Sequence, residues 1–449
     1  MTRTDTNGES GTFSRVRLQG VGIMGIRVCG AALALAAQIL ASRLLGAEDF
    51  GRYSLLLVWL LVLGYAATAG SGQLVCRYLA QYAASRDHAG IAGLLRAALV
   101  TVLAVGVVLM GAAVAVVVFF PLGLSKSDVV LACLALSAIP LVALQDFLES
   151  IARGLDRPAL GIGPAFLVRH LAIIFGLLAL LALGGSADAL MVMGFTVAGL
   201  VASILTQYAL LRRHLRHALS GVQPRYDLYR WVTRALPMAG ADITEMLLLN
   251  ADILILGLFV APEYVAFYFA ATRLAQILAY VPYGATAATA QKYAVLAGRP
   301  SELQALIGKV ATYSTVLTGM GALLLSLFAA QLLAAFGPDY SQAAPIVALL
   351  CLGIVVSCAF GPGEDVLNML GQERVCSLAF LSALAVNIAL NFALIPFLGL
   401  TGAAIATVSA LALRGALLAY FARVRLGLVL PAFLSLLRPT HDREIPYET

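Results

Sequence analysis

Twelve ionisable residues interrupt otherwise apolar runs of this chain, and they are where its chemistry must reside: Arg27, Asp146, Glu149, Arg169, His170, Asp242, Glu245, Asp252, Arg273, Glu364, Asp365 and Arg414. The runs that hold them are long enough to cross a bilayer, which takes about 20 mainly apolar residues. A charge at mid-membrane costs about 2.5–3.5 kcal/mol on insertion scales, so such residues face a partner or a water-filled cavity. Asp242, Glu245 and Asp252 fall at i, i+3 and i+10, which puts them on one face of a helix. Asp252 and Arg273 each lie about ten residues from the turn at Ala261-Pro262-Glu263. At ~1.5 Å per residue an antiparallel hairpin brings them to similar depth, which predicts a charge pair. Asp146 or Glu149 can meet Arg169 in the same way around a turn near Asp156. Arg27 would lie about 13 Å along its run with no acid in its own span, which suits a hydrated cavity or a ligand. Arg414 either pairs with a distant acid or snorkels, and Glu149, Glu364 and Asp365 lie near span ends, where water reaches them. Two chemistries are open: the acids and bases neutralise each other between helices, or they line a path for a charged cargo or a coupling ion.

Other chemistries find no residues to carry them. No GxSxG, HExxH or P-loop occurs, the five histidines are dispersed, and the six cysteines show no CxxC or CxxH spacing. An enzyme centre, a metal site and a bound cofactor are therefore not expected. Charged residues are 12% of the chain and hydrophobic ones 61%, with a mean hydropathy of +0.94. A soluble protein carries about twice that charge, so lipid is the solvent here. The net charge of +6 would suit nucleic acid, but its placement along the chain argues otherwise.

Twelve spans account for the apolar runs, roughly 18–43, 51–72, 92–120, 126–152, 159–184, 187–211, 236–259, 264–290, 306–331, 342–370, 375–397 and 401–422. Barrel strands would alternate over ~10 residues, and such segments are absent. Alternate loops collect the arginines, among them Arg3, Arg153, Arg157, Arg212, Arg213, Arg216, Arg374, Arg438 and Arg443, while the opposite loops hold little beyond Arg52 and Lys126. Positive charge marks the cytoplasmic side, which places both termini and the central loop inside. The polar N-terminus lacks the form of a cleaved signal, so the first apolar run is expected to be retained. The segment 212–235, with its arginines and Tyr226, Tyr229 and Trp231, predicts an interfacial helix on anionic lipid. Pro140, Pro164, Pro282, Pro345 and Gly361-Pro362-Gly363 suit spans that bend.

The tip between spans one and two, residues 47–53, and the tip between spans seven and eight, residues 262–268, share an acid, a small residue and a tyrosine at an offset of 215. With the basic central loop this supports two six-helix lobes in the same orientation. The expected organisation is a tail at 1–17, a first lobe at 18–211, a linker at 212–235, a second lobe at 236–422 and a tail at 423–449.

Four stretches in order resemble one family: LGAEDFGRYSLL (residues 45–56), ALPMAG with NADILILGLFVAPEYVAFYFAATRL (235–240, 250–274), FGPDYSQAAPIVALL followed by NMLGQERV (336–350, 368–375), and ALIPFLGLTGAAIATVSA (393–410). They resemble the polysaccharide flippases of the MOP superfamily over about residues 15–425. The resemblance implies an all-α integral membrane protein of about 12 helices, in two six-helix bundles around a V-shaped central cavity with alternating access. It implies a polyprenyl-diphosphate-linked oligosaccharide as cargo, in a bacterial cytoplasmic membrane, with membrane lipid around it and a polysaccharide polymerase and glycosyltransferases as partners. Basic residues facing the cavity would be matched by Arg27, Arg169 and Arg273. Arginine stays charged and binds phosphate through a planar fork, which suits a diphosphate. Other members of the superfamily export drugs by cation exchange, for which the acids Asp146, Asp242, Glu245 and Asp252 are the coupling or structural candidates.

Overall fold

The computed structural model describes residues 6–120, 123–219 and 222–434. The tail readings for 1–5 and 435–449, with Arg3, Arg438 and Arg443, lie outside them. No strand occurs among the described residues. That follows from the solvent, since in lipid every backbone N–H and C=O must be satisfied within the segment itself. Nine helices are long and apolar enough to cross a membrane among the described residues. Gly22–Ala66 and Glu373–Leu426 each hold two of the sequence spans, and the acid-bearing helix Leu228–Phe259 supplies one more. Every span read from the sequence thus has a helical counterpart, in a multi-pass membrane protein.

The chain divides into two compact units. The first comprises Met1–Leu44 and Trp59–Ile243. It draws on α1 (Thr6–Ala66), α2 (Ser71–Ala84), α3 (His88–Phe119), α4 (Lys126–Ser137), α5 (Ile139–Gly154), α6 (Pro158–Gly163), α7 (Arg169–Ala182), α8 (Ala189–Leu219) and the start of α9 (Leu228–Phe259). Its core is built from Leu74, Val75 and Leu79 of α2, Leu94 and Leu95 of α3, Val142 and Ile151 of α5, and Leu200 of α8. Between α6 and α7 the segment Pro164–Val168 is a π-helix. Span two is broken: α1 ends at Ala66 and the chain turns through Gly70, at φ 73°, before α2 resumes. Gly70 is required there on two counts, its left-handed φ and the Ala235 carbonyl that a Cβ would strike.

The second unit comprises Leu45–Val58 and Thr244–Thr449. It holds the rest of α9, then α10 (Pro262–Gln276), α11 (Tyr280–Val295), α12 (Pro300–Leu327), α13 (Ala329–Ala334), α14 (Ala344–Ala359), α15 (Gly363–Met369) and α16 (Glu373–Leu426). The Gly361-Pro362-Gly363 break separates α14 from α15, and Gly399, at φ 55° and ψ −129°, breaks α16 between the last two spans. Ile307, Val366, Leu367, Ala379 and Leu418 lie in its core.

The division differs from the lobes drawn on sequence in two places. It cuts α9 at Ile243, inside a continuous helix, and it assigns the tip of the first hairpin to the second unit. Phe50 on that tip is fully buried, 5.9 Å edge-on from Phe269 and 6.3 Å from Phe336. Gly51 lies so close to Pro262 that a Cβ would overlap its carbonyl. The two tips that resemble each other in sequence therefore pack together.

The separate interfacial helix expected at 212–235 is not formed. The Arg/Leu/His/Ala run continues α8 to Leu219, since these are adequate helix formers with no breaker among them. Residues 222–227, which include Pro224, are non-helical, and α9 begins at Leu228. This stretch is fastened to the first unit instead. The Arg225 amide donates to the Ala89 carbonyl at 3.0 Å, Arg225 forms an ion pair with Asp87, and Trp231 Nε1 donates to Tyr82 at 3.3 Å.

Candidate functional site

In the first unit the π-helical turn organises the charges. Gly30 of α1 lets that helix approach until a Cβ would touch Phe166, and the Arg27 guanidinium sits 5.9 Å above the Phe166 ring. His170 Nδ1 donates to the Phe166 carbonyl at 2.8 Å, taking up an acceptor from the widened turn. Arg169 follows one turn after Phe166 and donates to Gln145 Oε1 at 3.3 Å. Gln145 in turn donates to Ser203 of α8 at 2.5 Å, with both residues buried. Arg27 and Arg169, far apart in sequence, thus flank one π-helical turn, a feature common at functional sites.

Neither Asp146 nor Glu149 forms an ion pair with Arg169 among the described residues. Gln145 and Asp146 are consecutive on α5 and point about 100° apart, so the residue that meets Arg169 is the amide. Asp146 lies over Gly72, where a Cβ would come within 2.6 Å of its carboxylate. It is within electrostatic reach of Arg153, Glu149 and Asp242. Arg153 donates to Ser150 at 2.9 Å.

In the second unit Asp252 is 4% exposed and fully furnished with donors. Tyr268 donates to it at 2.7 Å, Thr407 at 3.1 Å and the Ile253 amide at 2.8 Å. Arg273 does not pair with it among the described residues. Similar depth on the hairpin does not fix direction. Tyr268 and Arg273 are five residues apart on α10, about 140° around the helix, and it is Tyr268 that faces the acid. Arg273 instead stacks 4.4 Å over Phe269, one turn back, and donates to Gln276 at 2.8 Å, while its Nε has no hydrogen-bond partner among the described residues. The α9 acids share a face, yet Asp242 is half-buried, Glu245 exposed and Asp252 enclosed. They span ~15 Å of helix axis and form no cluster.

The remaining charges settle in simpler surroundings. Arg414 stacks 4.9 Å over Phe380 and reaches Ser357 at 3.5 Å, with Glu364 in electrostatic range. Glu364 is exposed and Asp365 half-buried, on the first turn of α15. No group of His, Cys, Asp and Glu suited to a metal occurs among the described residues. Gln145, Ser203, Tyr268 and Thr407 went unmarked in the sequence, because uncharged polar residues in apolar runs carry little signal. The adjacency of Gln145 to Asp146 was the available clue.

Known proteins place this geometry. The family described as polysaccharide biosynthesis protein matches residues 19–290, more than half of the chain. No curated protein matches it significantly. Among solved structures, the inward-facing conformation of a multidrug resistance MATE family transporter of the MOP superfamily is similar at 17% identity, with a TM-score of 0.69 over 90% of this chain and 98% of that one. The lipid II flippase MurJ in an inward closed conformation is similar at 13% identity, with a TM-score of 0.70 over 90% of this chain and 87% of that one. An outward-facing MATE transporter gives 17% identity and a TM-score of 0.63. At these identities the likeness is one of fold. The all-helical architecture, the ordered motifs and the family match together make this chain a member of the polysaccharide biosynthesis protein family, with the fold of the MOP superfamily transporters.

Proposed function

We propose that this protein is a flippase that moves a polyprenyl-diphosphate-linked oligosaccharide across the cytoplasmic membrane by alternating access. The observation that carries the reading is Arg273. It is a half-buried guanidinium in a membrane span, its face supported by Phe269, with no carboxylate in ion-pair range among the described residues. Such a group keeps its charge and, beyond the donor held by Gln276, has further N–H groups to offer a phosphate oxygen. Arg27, stacked on Phe166, and Arg169, held by Gln145, are the basic residues that flank the π-helical turn of the first unit. The family points to polysaccharide synthesis, and one fold relative flips lipid II, itself a lipid-linked glycan. Glycosyltransferases would supply the cargo and a polymerase would receive it.

The test uses proteoliposomes loaded with a fluorescent polyprenyl-diphosphate oligosaccharide, scored by its arrival in the opposite leaflet. Arg273→Lys, which keeps charge without the fork, should slow flipping about tenfold, roughly 1.4 kcal/mol of lost stabilisation. Arg273→Ala should slow it further at equal protein abundance. Full activity of the alanine variant removes the phosphate-binding role.

A second reading, a cation-coupled drug exporter, draws on one grouping. Glu149 and Asp242 both lie within electrostatic reach of Asp146, with Arg153 as its basic neighbour. Efflux of a cationic dye driven by a proton or sodium gradient, lost in Asp146→Asn, would favour it. Asp252 contributes little to that reading, since its donors already enclose it.

A further inference from the structure

The second unit holds a cavity of about 590 Å³ that transport through the arginines does not use. Three hairpin tips frame it: the α9–α10 turn, the start of α14, and the break in α16. All three lie at the end of the unit reached by α9 after it leaves the arginine-rich linker. The charge distribution assigns that end to the exterior. Phe259 and Tyr264 supply exposed aromatic rings, with buried Phe267 also in the wall, while Gln342, Thr401 and the Gly399 backbone supply polar groups.

Its chemistry is specific in three respects. No charged side chain lines the cavity, which disfavours a phosphate, a lipid headgroup or a metal ion. The aromatic wall is held in place before any ligand arrives. Phe267 is 4% exposed, with Tyr340 edge-on at 4.9 Å and Tyr264 edge-on at 6.0 Å. Phe259 is likewise braced edge-on by Phe392 at 6.0 Å. The side chains of Gln342 and Thr401 are exposed and make no hydrogen bond to another described residue. The backbone adds to this. Gly399 takes φ 55° and ψ −129°, a conformation closed to residues with a Cβ, and interrupts the helical ladder at the rim. Irregular backbone in a membrane protein is tolerated where it is buried or lines a wet cavity.

Flat apolar faces with hydroxyl, amide and peptide groups at their edge, and no charge, match a pyranose ring. The ring's axial C–H face packs on an aromatic and its equatorial hydroxyls reach the rim. The size falls within the range of small-ligand pockets, about 300–1,000 Å³. We propose that this pocket binds an uncharged sugar residue on the exterior side, giving a delivered glycan a place to dock apart from its diphosphate. The source of the sugar rests on the flippase reading; the binding itself does not.

The experiment places the full-length protein in nanodiscs and measures saturation-transfer NMR to maltotetraose, chitotetraose and mannotetraose, with empty nanodiscs subtracted. At least one probe should receive saturation at its ring protons. Tyr264→Ala and Gln342→Ala, both at exposed positions, should each reduce that signal at least fivefold. No signal with any of the three probes, or a signal unchanged in both variants, overturns the proposal. The same variants are then assayed for flipping. Intact sugar binding in an inactive Arg273→Ala protein keeps the pocket independent of the arginines. A protein that binds these sugars yet never flips the labelled lipid sinks the transport reading and leaves the pocket standing.

Discussion

The two units treat an intramembrane acid in opposite ways. In the second, Asp252 is enclosed by Tyr268, Thr407 and the Ile253 amide, so three donors from two side chains and the backbone converge on one carboxylate. In the first, Asp146 makes no hydrogen bond to another described residue and lies half-buried over Gly72, beside other charges. A carboxylate held by neutral donors is a structural fixture, because its partners cannot leave without becoming orphans themselves. A carboxylate without them is free to respond to an ion, a proton or a cargo. Both acids look alike in the sequence, and their surroundings set their roles.

Three substitutions probe that contrast. Asp252→Ala should have the largest effect on stability. It strands the buried Tyr268 hydroxyl and the half-buried Thr407 hydroxyl, each worth about 1–3 kcal/mol when left unsatisfied, so a loss of about 3 kcal/mol is expected from thermal or denaturant unfolding in nanodiscs. Unfolding indistinguishable from the parent protein would show that these donors find other acceptors, and the contrast between units would collapse.

Gln145→Leu tests the structural element of the first unit. This residue links Arg169 to buried Ser203, so its loss should cost about 1–2 kcal/mol and loosen the Arg169 side chain on that side. A spin or fluorescent reporter near Arg169 should report the added motion. If stability and motion are both unchanged, the amide does not anchor that arginine.

Asp146→Asn should have the smallest effect on stability, within about 0.5 kcal/mol, because no hydrogen bond among the described residues depends on the carboxylate. Transport is where its influence should appear. A large loss of stability in this variant would make Asp146 as structural as Asp252 and erase the difference between the units.

Much of the fold was legible because the bilayer imposes a rule that composition alone reveals. Runs of about 20 apolar residues must be helices, and the structure breaks its two longest helices at Gly46 and Gly399. The broken helix at Gly70 and the π-helical turn at Pro164–Val168 were less visible, since a proline or glycine shows that a run bends without showing how. The candidate site was legible as a set of charges and illegible as a set of contacts. Rise per residue led to the expectation that Asp252 and Arg273 share a depth, and the two lie within electrostatic reach of each other, but depth is one coordinate of three.

By itself, the sequence determined the solvent, the all-helical class and the identities of the charges within the apolar runs, because each depends on local composition and a fixed helical rise. Tertiary structure alone decided which neighbours each charge acquires. Gln145 rather than Asp146 meets Arg169, Tyr268 rather than Arg273 meets Asp252, and the tip at Phe50 packs against Phe269. Those choices depend on how each helix is rotated about its axis, and that rotation is set by packing between residues distant in the chain, Gly30 against Phe166 and Gly51 against Pro262 among them.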